Sequence, residues 1–433
     1  MTDKKYLVTR ELFWVVVGQV LIFTGGFASI KTLTNIMGPV GYGKLALGMT
    51  IAGFFNMFVY GPIGNVVIRY FSICKEREEL NLYFFVLKKT HRMLFLIVLC
   101  FTALVSLLVY FLIGREWALL FLVSSLFGVV RGVELSFSSL QNATRQRKLV
   151  ALHQGAEVWL RFLLAIGLLF LLGNTGYFAL TGYLVGMTLI TLSQRFFALK
   201  DTTILKQWYA KPPNELSERK MFNELVKYAL PFTYFAVFNV IGLYSDRWIL
   251  QGFLGASEVG VYSALYSLAN APILVLMAML NQMMVPIIFE KTGSMVGDNK
   301  KEIGSKLLLC TVGVYIFFAT IFILILFLFS EPLVTFLTNV QFSTYHQILW
   351  IVSLGLALFN LGQLFCLRGL CSKRPIVYFY PKLWHAISFF GFSFFGAMFY
   401  GLTGVSWGLC LSSIVYLVSV LLVNKNIGFK VAV

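Results

Sequence analysis

Two pairs of opposite charges stand at helical spacing in otherwise apolar sequence. Arg131 and Glu134 are three residues apart, and Glu157 and Arg161 are four apart; in a helix each pair shares one face. A third group, Lys31 with Asp246 and Arg247, also falls inside apolar runs. A charge at the centre of a bilayer costs about 3 kcal/mol or more unless it is paired, snorkels to the surface or meets water. Two chemistries are therefore open to the four residues Arg131, Glu134, Glu157 and Arg161. They can neutralise one another as a salt-bridge network, or they can line a polar path that relays a coupling ion, H+ or Na+. For the second group the choice lies between snorkelling to outer headgroups, with an Asp246 to Lys31 pair, and a cationic substrate-binding cleft for a phosphorylated molecule.

Other chemistry finds less support. The segment GPVGYGKL, Gly38 to Leu45, has the glycine and lysine spacing of a phosphate-binding loop. Leu45 replaces the hydroxyl that would hold magnesium, and an apolar helix precedes the segment where a strand is required. It reads as a tight turn, as does its lysine-free counterpart GASEVGVY, Gly255 to Tyr262. His91, His153, His346 and His385 are scattered, the six cysteines lack zinc-like spacing, and no metal or cofactor is expected. No catalytic constellation emerges, so a transporter is expected in place of an enzyme.

The elements that position these residues follow from composition. Of 433 residues only 12% are charged against 59% hydrophobic, where a soluble domain carries about 25% charge. Mean hydropathy is +0.82. The apolar excess must face lipid. Apolar runs of about 20 residues occur over 12–36, 43–68, 91–113, 117–140, 151–172 and 177–199, then over 226–250, 260–288, 305–329, 346–370, 376–399 and 402–423. The expectation is an all-α integral membrane protein of twelve transmembrane helices. The net charge of +17 implies no nucleic acid, because the basic residues are dispersed between apolar runs. Nearly all of the 35 Lys and Arg fall in alternate loops, which places both termini in the cytoplasm by the excess of positive charge on that side. Arg115 and Lys44 alone fall opposite.

The polar stretch 200–222, with Pro212 and Pro213, divides six spans from six. It reads as a cytoplasmic linker between an N-terminal lobe (1–199) and a C-terminal lobe (223–433). Shifting the sequence by 217 residues superposes Gly25 on Gly242, Gly38 on Gly255 and Gly43 on Gly260. Six helices per repeat preserve orientation, so the repeats are parallel, two six-helix lobes around a central cleft that would alternate in access. The shift carries Arg247 to position 30, beside Lys31.

Two segments, NIMGPVGYGKLALGMT (Asn35 to Thr50) and SDRWILQGFLGASEVGVYSALYSLA (Ser245 to Ala269), together with the twelve spans, resemble the O-antigen and capsular polysaccharide flippases of the multidrug/oligosaccharidyl-lipid/polysaccharide exporter superfamily. The resemblance covers essentially the whole chain, and Asp246 and Arg247 match its more specific segment. It implies translocation of undecaprenyl-diphosphate-linked oligosaccharide repeat units across the bacterial cytoplasmic (inner) membrane, with a polysaccharide polymerase and a chain-length regulator as partners besides the substrate and membrane lipids. The residue chemistry agrees: a diphosphate needs cations, and a glycan needs polar and aromatic surface. A cation-coupled multidrug exporter of the same superfamily remains an alternative, although organic cations favour an acidic cleft, and the embedded cations here outnumber the carboxylates. A membrane glycan-modifying enzyme is the other, disfavoured by short outer loops.

Overall fold

The computed structural model describes residues 2–144, 146–200, 202–209, 214–292, 298–371 and 375–426. Pro212 and Pro213 of the expected linker lie outside them. No strand occurs among the described residues. The first helices are α1 (Thr2–Phe55), which runs through a π-helical turn (Asn56–Tyr60) into α2 (Gly61–Glu76), then α3 (Leu80–Leu112), α4 (Arg115–Ala143), α5 (Arg147–Leu172) and α6 (Gly176–Ala198). A short α7 (Thr202–Tyr209) precedes α8 (Glu215–Phe253), α9 (Ala256–Thr292) and α10 (Asp298–Leu328). The remainder comprises α11 (Ser330–Leu337), α12 (Val340–Ser343), α13 (Ile348–Phe365), α14 (Leu367–Cys371), a 3-10 turn and α15 (Phe379–Asn426).

Among the described residues, ten stretches are long and apolar enough to cross a membrane. Two of them, Val16–Glu76 and Ile376–Lys425, have 61 and 50 residues, roughly 90 and 75 Å of helix against a hydrocarbon core of about 30 Å. Each is divided by one glycine. Gly38 takes φ +63 in α1 and Gly401 takes φ +59 in α15, a region that side chains avoid. Pro39 follows the first bend and has no amide hydrogen to lose. Ten stretches thus make twelve crossings, and the protein is a multi-pass membrane protein. On α3 the residues Leu104, Leu107, Leu108 and Phe111 share one face and are exposed, Phe111 by 75%, as a lipid-facing stripe requires.

The helices gather into two compact units, Met1–Ser29 with Lys44–Val240, and Ile30–Gly43 with Ile241–Val433. In the first, α6 packs on α5 and α4, and α4 on α3. The α5 to α6 contact is close because Gly182 and Gly186 face α5: a Cβ on Gly182 would lie 2.5 Å from the Ala165 backbone, and one on Gly186 would lie 3.0 Å from Arg161 Cα. This is the small-xxx-small packing of membrane helices. An aromatic and aliphatic core including Tyr83, Phe84, Phe137 and Trp208 fills the end of this unit near α7.

In the second unit α13 packs on α15, and α9 and α10 pack on α13. The segment Ile30–Gly43 of α1 belongs here, held by a reciprocal contact. A Cβ on Gly43 would fall 1.8 Å from the Ala256 carbonyl oxygen, and one on Gly260 would fall 1.9 Å from that of Pro39. The 217-residue shift carries Gly43 to Gly260 and Pro39 to Ala256. Neither position has room for a side chain, which is why both are glycine.

Candidate functional site

The phosphate-loop look-alike is part of a bent helix, with Gly38 at the bend. Lys44 is committed to Glu116 at 2.6 Å. The histidines are likewise engaged: His91 pairs with Ser136 and Leu87 O, His153 with Ser193 and Leu149 O, and His346 with Ser330. His385 lies among Phe359, Phe389 and Tyr416.

In the first unit three helices bring the embedded charges together. On α5 Arg161 donates to Glu157 across one helical turn at 3.2 Å, both side chains being nearly buried. The guanidinium stacks over Tyr183 of α6 at 5.3 Å and Phe127 of α4 at 5.8 Å, and both rings stabilise a cation through their negative faces. On α4 Glu134 is buried and accepts from Gln194 Nε2 of α6 at 2.9 Å. Glu157, Arg131 and Arg161 all act on Glu134 electrostatically, so the four charges share one neighbourhood. Arg131 nevertheless forms no ion pair with Glu134 among the described residues. The close partner is the neutral amide of Gln194 on α6. Arg161 Nε and Nη1 and Gln194 Oε1 are buried without a hydrogen-bond partner among the described residues.

The second unit treats its charges differently. Asp246 and Arg247 are adjacent in α8. The carboxylate accepts from Arg247 N at 2.8 Å and from Nη1 at 3.0 Å. Nη1 also donates to Leu243 O at 2.9 Å. Tyr266 and Tyr262 of α9 cover the guanidinium at 4.5 and 5.8 Å, and Arg247 is only 8% exposed. Lys31 is not paired with Asp246. Its ammonium donates to Phe336 O of α11 and stands 5.5 Å from the Phe336 ring. Asn35, one turn on, donates to Thr338 O at 3.0 Å, so two side chains of α1 bind carbonyls at the C-terminal end of α11.

Several of these partners carry no charge and escape a search for embedded ions. Gln194, Tyr183, Phe127, Tyr262, Tyr266, Phe336 and Asn35 are of this kind. The spacing of Tyr262 and Tyr266, four apart in GVYSALYSLA, and of Gly182 and Gly186 in GYLVG, are the signals that would have found the aromatic cover and the helix seam.

The sequence model of a family described as "Polysaccharide biosynthesis protein" matches residues 8–291. No protein of curated function matches the chain. Among solved structures, the lipid II flippase MurJ in an inward closed conformation superposes with a TM-score of 0.73 at 15% identity, covering 96% of this chain and 87% of that one. An inward-facing multidrug resistance MATE family transporter of the MOP superfamily gives 0.64 at 13%, covering 96% and 94%. The Vibrio cholerae MATE transporter VcmN, as a mutant, gives 0.57 at 14%, covering 99% and 98%. At such identities the likeness establishes the fold, that of the MOP superfamily transporters with twelve helices.

Proposed function

The chain belongs to the polysaccharide biosynthesis protein family, and from that premise we propose that it is a flippase for undecaprenyl-diphosphate-linked oligosaccharide repeat units. It carries them across the bacterial cytoplasmic (inner) membrane by alternating access of two lobes, 1–199 and 223–433, for O-antigen or capsular polysaccharide synthesis. Both termini lie in the cytoplasm, a polymerase and a chain-length regulator receive the product, and the cargo crosses without covalent change. The similarity of the fold to a lipid II flippase supports this reading.

The observation that carries the anionic cargo is the commitment of the embedded charges. Asp246 is taken by Arg247 and Glu157 by Arg161. Lys31 and Arg131 have no ion-pair partner among the described residues, and Arg161 keeps two buried donors without an acceptor. Uncompensated cations in apolar surroundings favour a diphosphate over an organic cation. In this reading Lys31 supplies the free cation of the surface, and Arg247, oriented by Asp246, joins it when the movement of alternating access uncovers the pair. Glu134, whose contacts are with an amide, carries the coupling ion, and Arg131, Glu157 and Arg161 complete that network.

The test is reconstitution of the full chain in liposomes with fluorescent lipid-linked oligosaccharide, using an organic cation as comparator. Flipping of the lipid-linked glycan without movement of the cation is expected. Transport of the cation with no flipping makes the protein a multidrug exporter, and covalent change in the recovered glycan makes it an enzyme.

A further inference from the structure

None of the embedded charges lines a further cavity of about 410 Å³ that α2, α3, α4, α6 and α7 of the first unit form. Its wall is mostly apolar, with Phe84, Phe137, Leu140 and Trp208 among the lining side chains beside His91, Ser136 and Thr191, and two cations, Lys88 and Arg195, line it as well. No carboxylate is among its described lining residues. The Lys88 ammonium donates to Trp208 O and lies 5.4 Å from the Trp208 ring and 5.8 Å from that of Tyr209. Arg195 is near enough to repel it. Arg195 has no ion-pair partner among the described residues. Two like charges held close beside apolar surface raise the energy of the site until an anion comes between them.

The setting is a lipid one. Leu192 lines the cavity and, with Leu189 and Phe196, forms an exposed apolar face on α6 that ends beside Arg195. The short α7 buries Ile204 and Trp208 on one side while Leu205, Lys206 and Tyr209 remain exposed, the pattern of a helix lying in a membrane interface. An apolar hole that opens next to a lipid-facing stripe, with cations at the interfacial end, matches a molecule with a phosphate head and a long apolar tail.

We propose that this cavity is a binding site for an anionic phospholipid of the leaflet at the basic ends of the helices, with one acyl chain against Phe84, Phe137 and Trp208 and the phosphodiester between Lys88 and Arg195. The site lies outside the group assigned to cargo, and it stands whether or not the protein flips a glycan. The phosphate chemistry is shared by a membrane phospholipid, by a polyprenyl phosphate and by free phosphate, and the experiment separates them.

Trp208 is a reporter inside the cavity. The full chain is placed in phosphatidylcholine nanodiscs, and phosphatidylglycerol brominated on its acyl chains is added while tryptophan fluorescence is read. The same titration of Trp208→Phe isolates the contribution of Trp208. Saturable quenching that vanishes in Trp208→Phe is expected. Arg195→Gln, a change at an exposed position, should weaken it about fivefold, as removal of one basic contact with an anionic lipid does, and Arg195→Lys should restore it. Brominated phosphatidylcholine should not saturate the Trp208 signal, and inorganic phosphate should not displace the lipid. Equal quenching by the zwitterionic lipid, or no effect of Arg195→Gln, overturns the proposal. Displacement by stoichiometric polyprenyl phosphate also overturns it, assigning the cavity to the cargo, and displacement by inorganic phosphate reduces it to a free-anion site.

Discussion

Glu157 and Arg161 in the first unit and Asp246 and Arg247 in the second both set a guanidinium against a carboxylate inside apolar helices, under aromatic rings. The first pair uses the i, i+4 relation and spends one nitrogen of Arg161 on it. The second uses neighbours in sequence, which do not face one another on a helix. It succeeds because the short Asp246 side chain folds back onto the amide and guanidinium of the next residue. Arg247 is thereby closed off within α8 and beneath Tyr262 and Tyr266, whereas the Arg161 group is spread over α4, α5 and α6 with donors left over. The number of embedded charges is thus a poorer guide to function than the fraction already committed within the protein. The first unit is the freer of the two.

The largest effect should come from breaking the closed pair. Asp246→Ala leaves Arg247 8% exposed and without its counter-charge, and removal of one member of a buried pair costs about 3–5 kcal/mol. Abundance in the membrane and thermal unfolding in detergent should both fall sharply. Adding Arg247→Met should recover a substantial part of the loss, since the stranded charge goes with it. If Asp246→Ala is milder than Glu157→Ala, the contrast between the units is reversed.

Glu157→Gln should be less severe. Arg161 keeps a hydrogen-bonding neighbour and its two rings, and loss of a hydrogen bond to a charged group costs about 1.5–3 kcal/mol. Transport should suffer more than stability if the first unit is the working one. Normal flipping by a Glu157→Gln protein of reduced stability would leave the group a structural brace of the α4 to α5 hairpin.

Gln194→Leu removes the amide that Glu134 accepts from, an effect of about 1–2 kcal/mol. Its value is comparative: a double cycle of Gln194→Leu with Glu134→Gln should show coupling, and the same cycle of Gln194→Leu with Asp246→Asn in the second unit should show none.

The contrast between units was only partly legible in the amino-acid sequence. Charges stand out against apolar runs, so Arg131, Glu134, Glu157, Arg161, Lys31, Asp246 and Arg247 could be found, and helix periodicity supplied the Glu157 to Arg161 pair. What spacing does not carry is the choice among partners on other helices. Glu134 meets Gln194 and Lys31 meets the Phe336 carbonyl because packing decides those contacts, and a neutral amide or a backbone oxygen leaves no mark in a list of charges. The breaks expected near residues 36–43 and 399–402 are bends within continuous helices at Gly38 and Gly401, since one positive φ suffices to redirect a helix whose other residues all favour it. Within 200–222 the polar composition hid α7, whose apolar side rests on just Ile204 and Trp208.

The smallest effect on stability should come from Lys31. Its ammonium is only partly buried and binds one carbonyl and one ring, and the neighbouring Asn35 to Thr338 bond holds the same two segments together. Lys31→Met should therefore cost about 1 kcal/mol or less, the typical net worth of one such bond, and leave abundance normal. Flipping is a separate readout. Lys31→Arg keeps the charge and should retain part of the activity. Lys31→Glu should stop the movement of a diphosphate-linked glycan in protein that still reaches the membrane, because it replaces attraction by repulsion at a site of low polarity. The paired Lys31→Glu, Arg247→Glu protein sharpens the contrast further, since the Arg247 change alone should destabilise through Asp246 while the Lys31 change should not. Full flipping by the Lys31→Glu protein at normal abundance would make Lys31 a strut between α1 and α11, and would leave the free donors of Arg161 as the remaining cationic contact for the cargo.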